Sequence, residues 1–372
     1  MSDMEDMELD PAIKFGAGRY RQGKGVLAEA GEEIRRFGKK IYIVAGPRAF
    51  DAVKDRLLPG LSRAGMEYEI EIYTGVCCHE EAKACAERCK KAGCDELVGV
   101  GGGKIMDFAK AAADKAGIGV FNIPTSIATC AAFTNMSIMY TPEGAYEGNL
   151  RYDHEVDGVL VDLDVILQCP VRYTVSGIID AMAKWVEIPN GRRTMSPEDT
   201  DYDLYTAYCM AEYTYKTLLH LGGQAVRDIR RGRASRAVEY AAFINIAVTG
   251  NIANITRSCG QSALAHTFYY GVRSCFTRET KDALHGEIVG IGLFVQLSYN
   301  GMEQAIPTLR RYMETLEAPV CMPDLGIPET VHGGTKSIDR LEQYMEDSSY
   351  VKDTEEDRGK LHRAMKWAGY MK

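Results

Sequence analysis

The stretch DELVGVGGGKIMDFAKAAA, Asp95 to Ala113, decides the reading of the fold. The apolar run ELVGV forms a strand, and the alanine-rich segment from about Met106 to Lys115 forms a helix. Between them stand Gly101, Gly102, Gly103 and Lys104. A strand that ends in glycines and opens a helix brings backbone amides toward an anion at a sheet's carboxyl edge. Two familiar phosphate motifs do not fit. G-x-G-x-x-G fails because Lys104 and Met106 stand where its last glycine belongs. G-x-x-x-x-G-K-[ST] fails at Val98 and Ile105. The glycines alone leave two readings open, a phosphate cradle of another kind or a turn that binds nothing.

Outward from this stretch, short β-branched runs alternate with helical patterns, the signature of a parallel α/β sheet. KKIYIVAG (Lys39 to Gly46) is a strand, AFDAVKDRLLPGLSRAG an amphipathic helix closed by Gly65, and YEIEIYTG an alternating strand ending at Gly75. IGVFNIPTS and DGVLVDL (Asp157 to Leu163) are further strands, and GAYEGNLRYDHEVD is a hairpin excursion around Gly144 and Gly148. From PVRYTVSGIIDAMAKWVE onward the chain reads as helices joined by Gly/Pro loops. The expected architecture is an α/β domain with a Rossmann-like parallel sheet over 1–164 and an all-α domain over 165–372.

The composition narrows the class. The chain has 372 residues, enough for two cores, with a net charge of -8 that argues against nucleic acid or an anionic membrane as partner. No apolar run reaches the ~18 residues of a membrane span, and MSDMEDMELD lacks the apolar centre of a secretory signal. Eleven scattered cysteines fit reduced thiols and a cytoplasmic setting. Cys77, Cys78, Cys85, Cys89 and Cys94 cluster without a C-x-x-C, so we read them as small core residues around a helix from about Glu80 to Lys91 rather than as a zinc site.

Of seven histidines (His79, His154, His220, His266, His285, His332 and His362), two have unusual settings. His266 lies in GQSALAHTFYYGV and His285 opens HGEIVGIGLFVQL, whose small residues allow close helix packing. Asp180 sits among Ile178, Ile179, Ala181 and Met182 on a helix that reads as buried. A buried carboxylate needs a partner, either a salt bridge to Arg172 or Lys184 or a bound cation. Two imidazoles and a carboxylate suit Zn2+ or Fe2+. The two histidines are too far apart in sequence to share a helical face, so spacing alone does not assemble the three.

The motifs GGGKIMDFAKA, IPTSIATCAAFTNMSIMYTPEG, VRYTVSGIIDAMAKWVE, ALAHTFYYG and HGEIVGIGLFVQL, in this order, resemble those of the iron-containing alcohol dehydrogenase superfamily, within it the glycerol-dehydrogenase-like group. The resemblance implies the dehydroquinate synthase-like fold of that superfamily and metal-dependent hydride transfer between NAD(P) and a CH–OH group. It implies that Gly102, Gly103, Lys104 and Asp107 hold the pyrophosphate of NAD or NADP. Thr125 and Thr129 would lie along the cofactor, with Thr134, Met136 and Tyr140 flanking the nicotinamide. Asp180, His266 and His285 would ligate one divalent ion, Zn2+ first and Fe2+ second, and so form the catalytic centre. A small-molecule substrate and a homo-oligomer are implied as well.

Three departures bear on specificity. Cys130 stands where glycerol dehydrogenases of this group carry a substrate-contacting Asp, and TCAA followed by an aromatic and Thr is closest to the hydroxycarboxylate dehydrogenase branch. A thiol is a weak hydrogen-bonding group and carries no charge to repel a carboxylate. The expected substrate is therefore a small 2-oxo or 2-hydroxy acid, with glycerol and dihydroxyacetone, or a similar vicinal alcohol, as the alternative. Arg48 lies where many NAD-specific relatives carry an acidic residue, and it leaves two readings open: a pair with a 2′-phosphate and hence NADP, or a side chain in solvent and use of both cofactors. Tyr269 replaces a second histidine three residues after His266 and is a candidate hydrogen-bond donor to substrate.

Overall fold

The computed structural model describes residues 12–331 and 334–369; His332 and the acidic N-terminal stretch lie outside the described residues. Eight strands precede residue 163: β1 (Tyr20–Gly23), β2 (Lys40–Ala45), β3 (Glu67–Ile72), β4 (Glu96–Gly101), β5 (Gly119–Pro124), β6 (Met136–Tyr140), β7 (Tyr146–Arg151) and β8 (Gly158–Asp162). Six of them make one parallel sheet in the order β1-β8-β5-β4-β2-β3. β6 and β7 form a separate antiparallel hairpin with an irregularity between Met139 and Tyr140.

The helices are α1 (Ala30–Ile34), α2 (Pro47–Arg63), α3 (His79–Ala92), α4 (Gly103–Ala116), α5 (Leu163–Ile166), α6 (Val171–Glu187), α7 (Tyr202–Arg230), α8 (Arg236–Phe243), α9 (Thr249–Ile255), α10 (Leu264–Cys275), α11 (His285–Tyr299), α12 (Ile306–Thr315), α13 (Ser337–Glu346) and α14 (Glu355–Met365). The first four belong with the sheet. α2 opens on Pro47, whose missing N–H costs nothing in a first turn. α3 and α4 close on left-handed Gly93 and Gly117, which release the chain into the next strand.

β2 and β4 are buried because helices cover both faces of the sheet, so after Lys40 and Glu96 their sequences are continuously apolar. The chain runs from β2 outward to β3 and then crosses back to β4 on β2's other side. This reversal opens a crevice at the carboxyl ends of β2 and β4, where open α/β sheets bind ligands. Arg48 and the glycine turn both lie at that edge. From α6 onward the chain is helical, and α11 is buried over its whole length after His285. One apolar cluster joins Phe108 and Ala112 of α4 to Ile178 of α6 and Leu293 of α11, so the sheet layer and the helices share a core.

Some elements differ from the sequence expectation. α4 begins at Gly103, earlier than Met106, with Gly103, Lys104 and Ile105 in its first turn. β1 had no signal: YRQG is short and polar, and it becomes a strand only by pairing with β8. The strand before Arg48 is thus the second. The cysteine cluster is buried and packs as core, with Cys85 and Cys89 on the inner face of α3. Among the described residues it offers no metal-type group of ligands.

Candidate active site

Asp180 on α6, His266 on α10 and His285 at the start of α11 each offer a ligand atom, all within 4.8 Å of one another. His285 Nε2 lies 3.2 Å and His266 Nε2 3.6 Å from Asp180 Oδ1. The glycines of α11 make this approach possible. A Cβ on Gly286 would stand 1.9 Å from the backbone oxygen of Ser176, so any side chain there would push α11 off α6. Ser176 Oγ accepts the Gly286 N–H at 3.0 Å. Arg172 does not pair with Asp180. It binds Glu287 (Nη2 to Oε2, 2.7 Å), and Glu287 Oε2 accepts the Leu284 N–H at 2.8 Å. That chain of contacts holds the first turn of α11 and hence His285.

Glu187, which the sequence reading did not single out, orders the other histidine. It is fully buried, accepts the Ala263 and His266 N–H groups at 2.7 and 2.9 Å, and lies 2.6 Å from His266 Nδ1. An ionised carboxylate only accepts, so Nδ1 carries the proton and Nε2 keeps its lone pair toward Asp180. Burial pushes the Glu187 pKa up, but His266, Lys184 and the Ala263 N–H outweigh it and hold the carboxyl below its usual range. His266 titrates below its ordinary value because burial disfavours the cation more than Glu187 stabilises it. The available signal was position: Asp180 and Glu187 are seven apart and share one face of α6.

Asp180 Oδ1 is buried and has no hydrogen-bond partner among the described residues. Burial alone would raise its pKa, yet His285, Lys184 and His266 together hold the carboxyl below the usual range. A carboxylate oxygen and an imidazole lone pair that face each other across 3.6 Å repel. A divalent cation between them reverses the sign of that interaction, and one carboxylate with two neutral imidazoles is a donor set that Zn2+ and Fe2+ both accept.

The glycine turn lies at the end of β4. Gly102 is the residue before α4 and Gly103 the first within it, so the unpaired amides of a helix start face the crevice. A Cβ on Gly103 would lie 2.9 Å from Thr129 Oγ1, which ties the turn to the 125–129 loop. Thr125 donates its N–H to Gly101 O at 2.8 Å. Lys104 and Arg48 are exposed, the latter in the first turn of α2. Asp107 is buried, with Oδ1 3.1 Å from Lys110 Nζ, so its carboxylate is already engaged inside the protein. Lys110 is itself buried and binds Thr134 O at 3.1 Å, Thr134 Oγ1 at 3.2 Å and Met136 O. This pair staples the start of β6 to α4.

Tyr269 lies edge-on to His285 with ring centroids 4.3 Å apart, and Arg273 stands over the other ring of that pair, Tyr269, at 5.5 Å. Burial, then Tyr269, pushes the Tyr140 hydroxyl up to about 12. Met136 receives the Ser258 hydroxyl at its sulfur, 2.8 Å away. Cys130 is half-buried, and burial followed by the Asp180 charge pushes its thiol up to about 11, so it stays protonated. Tyr270 faces outward and meets Tyr146 of the hairpin at 5.9 Å.

Comparison with known proteins identifies relatives of this chain. The family model described as iron-containing alcohol dehydrogenase matches residues 17–156. A glycerol dehydrogenase of Thermotoga maritima is 30% identical over 316 residues, 83% of this chain and 84% of that one. A glycolaldehyde reductase of Halobacterium salinarum is 28% identical over 84% of this chain and 85% of its own. The crystal structure of glycerol dehydrogenase from Schizosaccharomyces pombe superposes with a TM-score of 0.82 at 22% identity, covering 97% of this chain and 92% of that chain, a likeness of fold. On these matches the chain belongs to the iron-containing alcohol dehydrogenase family, in its glycerol-dehydrogenase-like group, and is an NAD(P)-linked enzyme acting on CH–OH groups.

Proposed function

We propose that this enzyme interconverts glycerol and dihydroxyacetone, or a similarly small vicinal alcohol and its hydroxy carbonyl, with NAD(P) and one divalent ion. The ranking reverses the sequence expectation, which placed a 2-oxo acid first. Relatives that align with more than four fifths of this chain are named for glycerol and glycolaldehyde, and that outweighs the single substitution at Cys130.

The observation that carries the metal dependence is the buried, unbonded Asp180 Oδ1 facing His266 Nε2 and His285 Nε2. Asp180, His266 and His285 would hold the ion, Zn2+ first and Fe2+ second. When bound there it would act as a Lewis acid toward the substrate oxygen. The chain's own residues do the rest. Glu187 keeps His266 Nε2 unprotonated, and Glu287 and Ser176 hold His285 in place. The Gly102–Gly103 turn and the 125–129 loop would carry the pyrophosphate, and Lys110 would keep the Thr134–Met136 segment against the nicotinamide. Cofactor and substrate carbon are thereby held in register for hydride transfer.

The test is the initial rate of NADH and NADPH oxidation with dihydroxyacetone, before and after chelation and after re-addition of Zn2+ or Fe2+. Activity should vanish on chelation and return with metal. Full activity in metal-free protein, or none with metal restored, would overturn the reading.

A further inference from the structure

On the inner face of α6, Asp180, Lys184 and Glu187 follow one another at one-turn spacing. Asp180 faces the two histidines, and Glu187 is spent on His266 and Ala263. Lys184 has no comparable partner. It is 5% exposed, and among the described residues no carboxylate lies within 4.0 Å of its Nζ. Its one hydrogen bond among the described residues is to Ser262 Oγ, at 3.3 Å. A buried ammonium has three protons to donate and a high cost for leaving them unmatched. Helix spacing puts Lys184 one turn from Asp180 on the same face of α6, and its contact Ser262 lies just before α10, the helix that carries His266.

We propose that Lys184 is a specificity-determining residue whose ammonium takes the second oxygen of the substrate, the one on the carbon beside the reacting carbon, and takes it best when that oxygen is anionic. The inference rests on the proposed function and deepens it. It selects two-oxygen substrates over simple alcohols, and it extends the range of the site from hydroxy carbonyls to small 2-oxo acids. Lys184 donates hydrogen bonds and charge in this role; it neither gains nor loses a proton.

Three aldehydes of similar size separate the contributions: propanal has no second oxygen, glycolaldehyde a neutral one, and glyoxylate an anionic one. In the metal-loaded wild-type enzyme, kcat/KM for NAD(P)H-driven reduction should be higher for both two-oxygen aldehydes than for propanal. In Lys184→Met the glyoxylate-to-propanal ratio should fall about 100-fold and the glycolaldehyde-to-propanal ratio about 10-fold, the range for a lost charged hydrogen bond. Lys184→Arg should retain most of both ratios, and metal content should be unchanged in each variant. Lys184→Gln carries the same comparison should the Met variant not fold. A wild-type preference for propanal, or ratios that stay constant while all three rates fall together, would overturn the role of Lys184 and leave the enzyme class standing. No turnover of any aldehyde would overturn the functional reading, and the inference with it.

Discussion

At the scale of single residues, the chemistry concentrates in Asp180. Its Oδ1 is buried and has no hydrogen bond among the described residues, although two imidazole nitrogens lie within 3.6 Å. Water would ordinarily satisfy such an oxygen, and a cation does so more strongly in a low-dielectric pocket. Asp180→Ala should therefore abolish metal retention and lower kcat/KM by at least about a thousandfold, given the several kcal/mol that a Lewis acid supplies. Metal per chain by elemental analysis checks the first part, and rates with saturating cofactor the second. Retained metal in Asp180→Ala would move the metal site elsewhere.

At the scale of elements, α6 works as a scaffold with one functional face. Asp180 sits mid-helix, and Glu187 sits at its last turn, where it receives the start of α10. Glu187 thus has two tasks, to anchor α10 and to set the tautomer of His266. Glu187→Gln keeps the shape but removes the charge. It should weaken metal binding by roughly 10–100-fold, the usual cost of losing a carboxylate behind a ligating histidine. Competition against a chelator of known affinity reads this directly and independently of turnover. Unchanged affinity would show that Glu187 only anchors α10.

At the scale of the whole molecule, an acidic pair of a buried and a half-buried carboxyl lies at the amino end of the sheet, away from the chemistry. Glu96 opens β4 at the amino end of the sheet, is 1% exposed, and sits beside Asp157. Burial and then Asp157 push its carboxyl up to about 9, so the folded protein keeps a proton there that the unfolded chain releases near the ordinary value of 4.5. The folded state binds more protons between these limits, so stability is greatest below the lower value and declines as pH rises toward the upper one. Thermal unfolding should occur at a lower temperature at pH 8.5 than at pH 6. Glu96→Gln should narrow that difference, since the amide needs no proton, with about 1–3 kcal/mol at stake for a polar group buried this deeply. An identical pH dependence in the variant would assign the effect to other groups.

The sequence by itself determined what is local. A strand running into Gly101–Gly103 and an alanine-rich helix marked a parallel α/β layer, and the loss of strand patterns after Asp164 marked where helices take over. Period, glycine position and apolar runs are properties of a few neighbouring residues, so they survive without the rest of the chain. The odd surroundings of Asp180, His266 and His285 were visible in the same way. Tertiary structure alone decided what meets what. Spacing left the three residues apart, and they converge because α10 and α11 pack against α6, closely enough at Gly286 that no side chain fits. Arg172 was an equally good partner for Asp180 on paper, yet it faces Glu287. Glu187 looked like any glutamate near a helix end until α10 arrived beside it. YRQG became a strand only because β8 offered an edge. Each of these outcomes depends on contacts between residues distant in sequence, whose free energy exists only once the whole core has assembled.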